Sequence, residues 1–410
     1  MSMSARSPSL SDRIRQEIET RGPMSFSRFM DLALYDPLEG YYASDRAAVG
    51  REGDFFTSVS IGPVFGAALA GQFLEMWEAL GRPPEFRLVE QGANDGRLSN
   101  DILSALSQTP LARVPLTIIE PISLLREKQA STLAAWNVSW VEKPENLSEF
   151  VGVHFSNELF DALPFDILEA REGGWHEVQV HADEAGFSFK TSPHPLANTG
   201  LPERPEGFRA ELRRHQRELL GSVSARMRQG FLLAIDYGMS RSELLLPHRR
   251  GGTLACYSQH RRDEAPLDFP GEKDITAHVD FSALARDAAA CALALEAYTD
   301  QHHFLVGAST GLLKSLDGAA PTPSTLKILR SLRTLLHPET MGTQFKAILF
   351  SKNTPAAKCL SGFQHAGNCD FLLAQVELRK DMPFAITANP EPLLTTAEQG
   401  KSWEAALGEY

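Results

Sequence analysis

At 410 residues, 43% of them hydrophobic, the chain is long enough for one large α/β domain with insertions, or for two domains. Its 40 Lys and Arg against 52 Asp and Glu leave a net charge of −12, which argues against nonspecific binding to nucleic acid or an anionic membrane. No apolar run has membrane-spanning length, and Cys256, Cys291, Cys359 and Cys369 form no C-x-x-C pair, so membrane insertion, a zinc site and a disulfide framework are not expected.

The Ser-rich start lacks the apolar centre of a secretory signal and reads as a frayed cytoplasmic N-terminus, with an organelle presequence as the alternative. Residues 11–34 have helical spacing (Ile14, Ile18, Phe26, Phe29, Met30), broken by Gly22-Pro23. An aromatic turn follows, from Tyr35 to Tyr42, then Gly53-Asp54-Phe55-Phe56-Thr57-Ser58 and a helix over 62–80. From Phe86 onward short apolar runs alternate with helical stretches. Strands are predicted at 86–90, 116–120, 138–141, 151–157, 231–237 and 343–350, with helices at 98–107, 124–135 and 325–336. This pattern predicts a Rossmann-like α/β fold with a mostly parallel sheet of about seven strands. The rhythm breaks between the fourth and fifth strands, where 175–180 and 186–190 read as a hairpin and 193–205 as Pro-rich loop. The chain therefore divides into an N-terminal helical cap (1–80), a core (81–164 and 229–352), an inserted substrate lobe (165–228) and an unassigned tail (353–410). Nothing here sets the oligomeric state.

The first strand runs into Gln91-Gly92-Ala93-Asn94-Asp95-Gly96 and then a helix, the place where an open α/β sheet binds its ligand. Glycine permits close backbone approach, Asn94 tolerates the left-handed conformation, and the helix start favours a negative group. The G-x-N-x-G spacing is not that of dinucleotide binders. Glu120 ends the second strand, where a carboxylate can accept from ribose hydroxyls; simple tight packing is the bland account of the turn. Asn157, Glu158 and Asp161 follow the fourth strand and can orient an amine or guanidinium, or merely cap a helix. Asp236, at the fifth strand, either serves the site or bonds backbone groups. His260, Asp274, His278 and Asp280 share no ligand spacing, so loop hydrogen bonds or substrate contacts are favoured over metal. Tyr41, Tyr42 and Phe55 cover a ligand or pack the cap.

Taken together these segments, with Ile235-Asp236-Tyr237-Gly238, residues 274–281 and Met341-Gly342, resemble the MidA-like family of S-adenosylmethionine-dependent methyltransferases. That family includes a mitochondrial methyltransferase needed for respiratory complex I assembly. The resemblance implies methyl transfer to a protein acceptor, an arginine side chain, with a respiratory-complex subunit as partner and the mitochondrial matrix as the alternative location. It implies that Glu90, Gly92, Asn94 and Gly96 line the cofactor, that Glu120 takes the ribose, and that Thr57 and Ser58 close over the site. Asn157 and Glu158 would sit beside the transferred methyl; the acids just past the apolar fourth strand make Glu158, and then Asp161, the catalytic candidates. The sequence departs from the family at Asn94, Val59-Ser60 and Ile122-Ser123. A non-catalytic assembly scaffold and a small-molecule methyltransferase stay open as alternatives.

Overall fold

The computed structural model describes residues 8–44, 57–258, 261–317, 322–354 and 360–374. Gly53 to Phe56, His260, Cys359 and the tail beyond 374 lie outside the described residues.

A central sheet runs in the order Ala294–Asp300, Phe345–Lys352, Met227–Met239, Phe150–Asn157, Phe86–Gln91, Leu116–Ile119, Val138–Val141. Neighbours from Met227–Met239 to Val138–Val141 pair in parallel, and Phe345–Lys352 runs antiparallel to both of its neighbours. The two-residue strand Val279–Asp280 adds in parallel to the end of Met227–Met239. Both faces of the middle strands are covered, so the run Phe231 to Ile235 is apolar without interruption and wholly buried. Helices Val64–Ala79, Arg97–Leu106 and Pro323–Leu336 share one core with the sheet, and Gln216–Arg226 and Phe281–Ala290 share another. At the centre the strands demand glycine. A Cβ on Gly152 would stand 1.9 Å from Arg87 O, and one on Gly230 would stand 1.9 Å from Gly152 O.

A second sheet joins Met24–Ser25, Gly174–Asp183, Asp166–Arg171 and Arg209–Leu212, with Gly186–Pro195 paired to Gly174–Asp183. Met24 pairs with Val180, so residues 24–25 complete a sheet otherwise built from residues 166–212. The apolar stripe of Phe26–Tyr35 packs there, with Phe26 5.4 Å from the Phe165 ring and 5.5 Å from that of Phe189. A third, three-stranded sheet contains Ala255–Ser258, Arg261–Asp263 and Asp274–Thr276.

Three expectations are corrected. No helix follows Asn157; the chain turns and enters the strand Asp166–Arg171, so helix capping is not what Asn157, Glu158 or Asp161 do. The fifth strand, expected over 231–237, runs from Met227 to Met239. The strand Ala294–Asp300 and the small sheet were not foreseen: the former alternates exposed and buried residues only loosely, and the latter consists of three- and four-residue strands.

Candidate active site

A cavity of about 300 Å³ lies at the carboxyl edge of the central sheet, under the turn Tyr35–Tyr42. At one end the backbone leaves Gln91 through Gly92 (φ 80°) and Asn94 (φ 45°) to Gly96 (φ 82°), which caps the helix Arg97–Leu106. Asn94 adopts the left-handed conformation foreseen for it. Gly92 and Asn94 line the cavity. Gly96 instead backs onto Leu133, whose Cδ1 would lie 3.2 Å from an added Cβ.

Glu90 and Glu120 are both buried and both line this end. Burial pushes each pKa up to about 7, opposed at Glu90 by the Ser99 hydroxyl donating to it and at Glu120 by the Ile122 N–H and Gln129. Gln129 was not foreseen. Its amide donates to Glu120 Oε2 (3.0 Å) and to the Asn94 carbonyl (2.9 Å), while the Trp140 indole donates to its oxygen at 2.9 Å. One buried glutamine thus ties the glycine turn to the carboxylate. A lone polar residue on a helix carries no sequence mark of that role.

The other end is acidic and aromatic. Asn157, Glu158, Asp161 and Asp274 line it together with Tyr35, Tyr42 and Tyr237. Glu158 sits at φ 55°, an uncommon conformation for a residue with a side chain, and accepts from Asn157 Nδ2 at 2.9 Å. Burial, then the nearby Asp161, raises its pKa to about 8. Asp161 is also raised by burial, against a hydrogen bond from Tyr237. Tyr42 donates to Asp274 Oδ1 at 3.1 Å, and Tyr35 stacks on Tyr42 at 5.4 Å and donates to the Ala162 carbonyl at 3.0 Å.

Two groups hold this loop. Asp236 Oδ2 accepts from the N–H groups of Leu159 (3.1 Å), Phe160 (2.8 Å) and Asp161 (3.4 Å), so it bonds backbone and lies behind the site. Buried Arg213 donates to the carbonyls of Asp161 (3.0 Å), Ala277 (2.6 Å) and His278 (3.0 Å). Arg213 lies within 165–228, whose sequence shows a break in rhythm but nothing of this contact.

Thr57 lines the cavity, and its Oγ1 is buried without a partner among the described residues, as is Asn157 Oδ1. Ser58 is buried but turned aside, donating to Gln301 Oε1 at 3.0 Å. Asp280 caps Phe281–Ala290 and pairs with Arg241 at 2.6 Å. Among the described residues no group of three His, Cys, Asp or Glu could hold a metal. Likewise none of their helices is long and apolar enough to cross a membrane.

The profile of the S-adenosyl-L-methionine-dependent methyltransferase family matches residues 68–299. A Burkholderia thailandensis protein solved with bound S-adenosyl-homocysteine is 30% identical, with a TM-score of 0.80, over 88% of this chain and 96% of that one. The mouse mitochondrial protein arginine methyltransferase NDUFAF7 is 28% identical over 86% of each chain. Its human counterpart is 27% identical over 80% of each.

Proposed function

The chain belongs to the S-adenosyl-L-methionine-dependent methyltransferase family, and from that premise we propose that it methylates an arginine side chain of a protein. One observation carries the choice of acceptor: three carboxylates, Glu158, Asp161 and Asp274, gather with three tyrosines at one end of the cavity. Such a wall is costly when empty, since burial raises the pKa of Glu158 and Asp161 and the nearby Asp161 and Asp274 raise that of Glu158 further, and a planar cation relieves that cost. A guanidinium matches it, by paired hydrogen bonds to carboxylates and by stacking on tyrosine. The relatives named as arginine methyltransferases support the same acceptor.

The residues at the other end fit the cofactor. The Gly92–Asn94 turn lets a ligand approach the backbone, Glu120 offers acceptor capacity to a ribose, and Thr57 Oγ1 and Asn157 Oδ1 offer buried polar atoms without partners among the described residues. S-adenosylmethionine supplies an electrophilic methyl on a good sulfonium leaving group. The protein supplies alignment and charge. Glu158 and Asp161 orient the guanidinium so that one nitrogen faces the methyl. Binding of the cation would release the Glu158 proton to solvent, and the Glu158 carboxylate would then take the proton that the methylated nitrogen loses as the C–N bond forms and the C–S bond breaks. Asn157 fixes Glu158 for this step.

The sheet containing Asp166–Arg171 and Gly174–Asp183 is read as the acceptor-side lobe. The acceptor is read as a subunit of a respiratory complex, and the mitochondrial location in the relatives' names is weighed against the cytoplasm by cell fractionation. Purified protein is incubated with labelled S-adenosylmethionine and lysate, and the labelled polypeptide is hydrolysed. Label is expected on methylarginine. Label in small molecules overturns the acceptor, and cofactor binding without any transfer leaves the scaffold alternative.

A further inference from the structure

Glu120 and the glycine turn reach the cavity from different strands, and both are tied to one side chain. Gln129, on the helix Ser123–Thr132, is wholly buried. Trp140, on the edge strand Val138–Val141, donates its indole N–H to Gln129 Oε1 at 2.9 Å. An indole nitrogen can only donate, so the amide oxygen faces Trp140 and the amide nitrogen faces away from it. That nitrogen donates to two acceptors, Glu120 Oε2 at 3.0 Å and the Asn94 carbonyl at 2.9 Å. With its oxygen and both hydrogens engaged, the amide has a single orientation. Gly96 lets the helix come this close to the turn: it carries no side chain, and a Cβ there would stand 3.4 Å from Gln129 Cα.

Glu120 is held at both oxygens. Oε1 accepts from the Ile122 N–H at 3.0 Å and Oε2 from Gln129, while the Glu120 N–H donates to the Val141 carbonyl at 2.9 Å. An ionised carboxylate has about four acceptor sites, so one on each oxygen is left over, and Glu120 lines the cavity. Two adjacent acceptors complement two adjacent hydroxyls, as in the 2′,3′-diol of a ribose. Without the amide, Oε2 would lose the donor that fixes it and that favours the ionised, acceptor-only form.

We propose that Gln129, oriented by Trp140, is a positioning residue that makes the cavity select the ribose diol of its cofactor. This rests on the reading of Glu120 as the ribose acceptor. The amide aims both carboxylate oxygens at once, and through the Asn94 carbonyl it holds the turn at a fixed spacing from them. A ligand without the two hydroxyls leaves a buried carboxylate short of partners and is rejected on that account.

Calorimetry with S-adenosyl-homocysteine and its 2′,3′-dideoxy analogue reads the selection as a ratio of affinities. The parent is expected to prefer the diol by at least about tenfold, the loss that goes with a hydrogen bond to a charged group. In Gln129→Met the ratio is expected to fall to within about threefold of unity, with S-adenosyl-homocysteine weakened and the dideoxy analogue nearly unchanged. A side chain that only filled space would, when replaced, weaken both ligands alike and leave the ratio as it was. Trp140→Phe removes the indole N–H, keeps an aromatic ring and is expected to lower the ratio in the same direction. It carries the test should Gln129→Met fail to fold. The parent ratio surviving in folded Gln129→Met, or in Trp140→Phe, overturns the role of the amide. Glu120→Ala separates that failure from failure of the ribose reading. If it keeps the parent ratio, or if the parent shows no preference, the ribose reading falls and the proposal with it. If it abolishes the ratio while the Gln129 and Trp140 variants keep theirs, the proposal alone falls.

Discussion

A carboxylate buried beside two others holds its proton at neutral pH, and Glu158 does so until a cation arrives. The sign of its effect on stability follows. Its folded pKa, about 8, lies above the ordinary 4.5, so between those values the folded state binds more protons than the unfolded state. Stability of the ligand-free protein therefore falls as pH rises through that window. Glu158→Gln keeps the Asn157 hydrogen bond and abolishes the titration. Thermal melts of parent and variant should coincide near about pH 5 and separate in the variant's favour near about pH 9. The same variant should bind S-adenosylmethionine normally and transfer methyl about a hundredfold more slowly or worse. Transfer at the parent rate would remove Glu158 from the mechanism. At the opposite end, Glu120→Ala should weaken S-adenosyl-homocysteine binding by about 1.5–3 kcal/mol in calorimetry, the worth of a hydrogen bond to a charged group. The place of both residues on the cavity wall was legible in the sequence because polar groups just past an apolar strand face the ligand edge. Gln129 was not, because its partners come from the glycine turn, the second strand's end and Trp140.

The loop from Leu159 to Asp161 owes its shape to Asp236 on the neighbouring strand. Asp236→Ala leaves three backbone donors without their acceptor, at a cost of about 1–3 kcal/mol for each that stays buried and unpaired. Denaturant titration should show that loss. Kinetics should show kcat falling further than cofactor affinity, because the loop carries Glu158 while the glycine turn belongs to another strand. An unchanged kcat would mean that the loop keeps its form without the clamp. The parallel strands were readable from short, mostly apolar runs alternating with helical stretches. Helix capping, the alternative account of Asn157, Glu158 and Asp161, failed for a physical reason: the N–H groups of Leu159 to Asp161 are taken by the strand-borne Asp236 carboxylate. Arg213 escaped for a similar reason, since it works through carbonyls at Asp161, Ala277 and His278, remote in sequence.

For the whole molecule, the ligand site gathers segments from the N-terminal turn, the central sheet and the small third sheet, so binding should stabilise all of them together. With S-adenosyl-homocysteine at a hundred times its Kd, linkage adds about 2.7 kcal/mol, and the thermal midpoint should rise by about 2–4 °C, with no shift from NAD. A response to NAD alone would contradict the G-x-N-x-G assignment.

The pairing of Met24 with Val180 also has a meaning in time. A ribosome makes the chain from its amino end, at about 5–20 residues per second in cells. Phe26, Phe29 and Met30 emerge early, yet the surfaces that bury them, Phe165, Val178 and Val180, come much later. Through that interval the helix Phe26–Tyr35 has only Leu10, Ile14 and Ile18 of the preceding helix to pack against. The aromatic turn that roofs the cavity, joined directly to that helix, can settle only after Ala162 and Asp274 have been made. Birth order and assembly order are thus reversed, and a segment translated well before its packing partners is among the last to find its place.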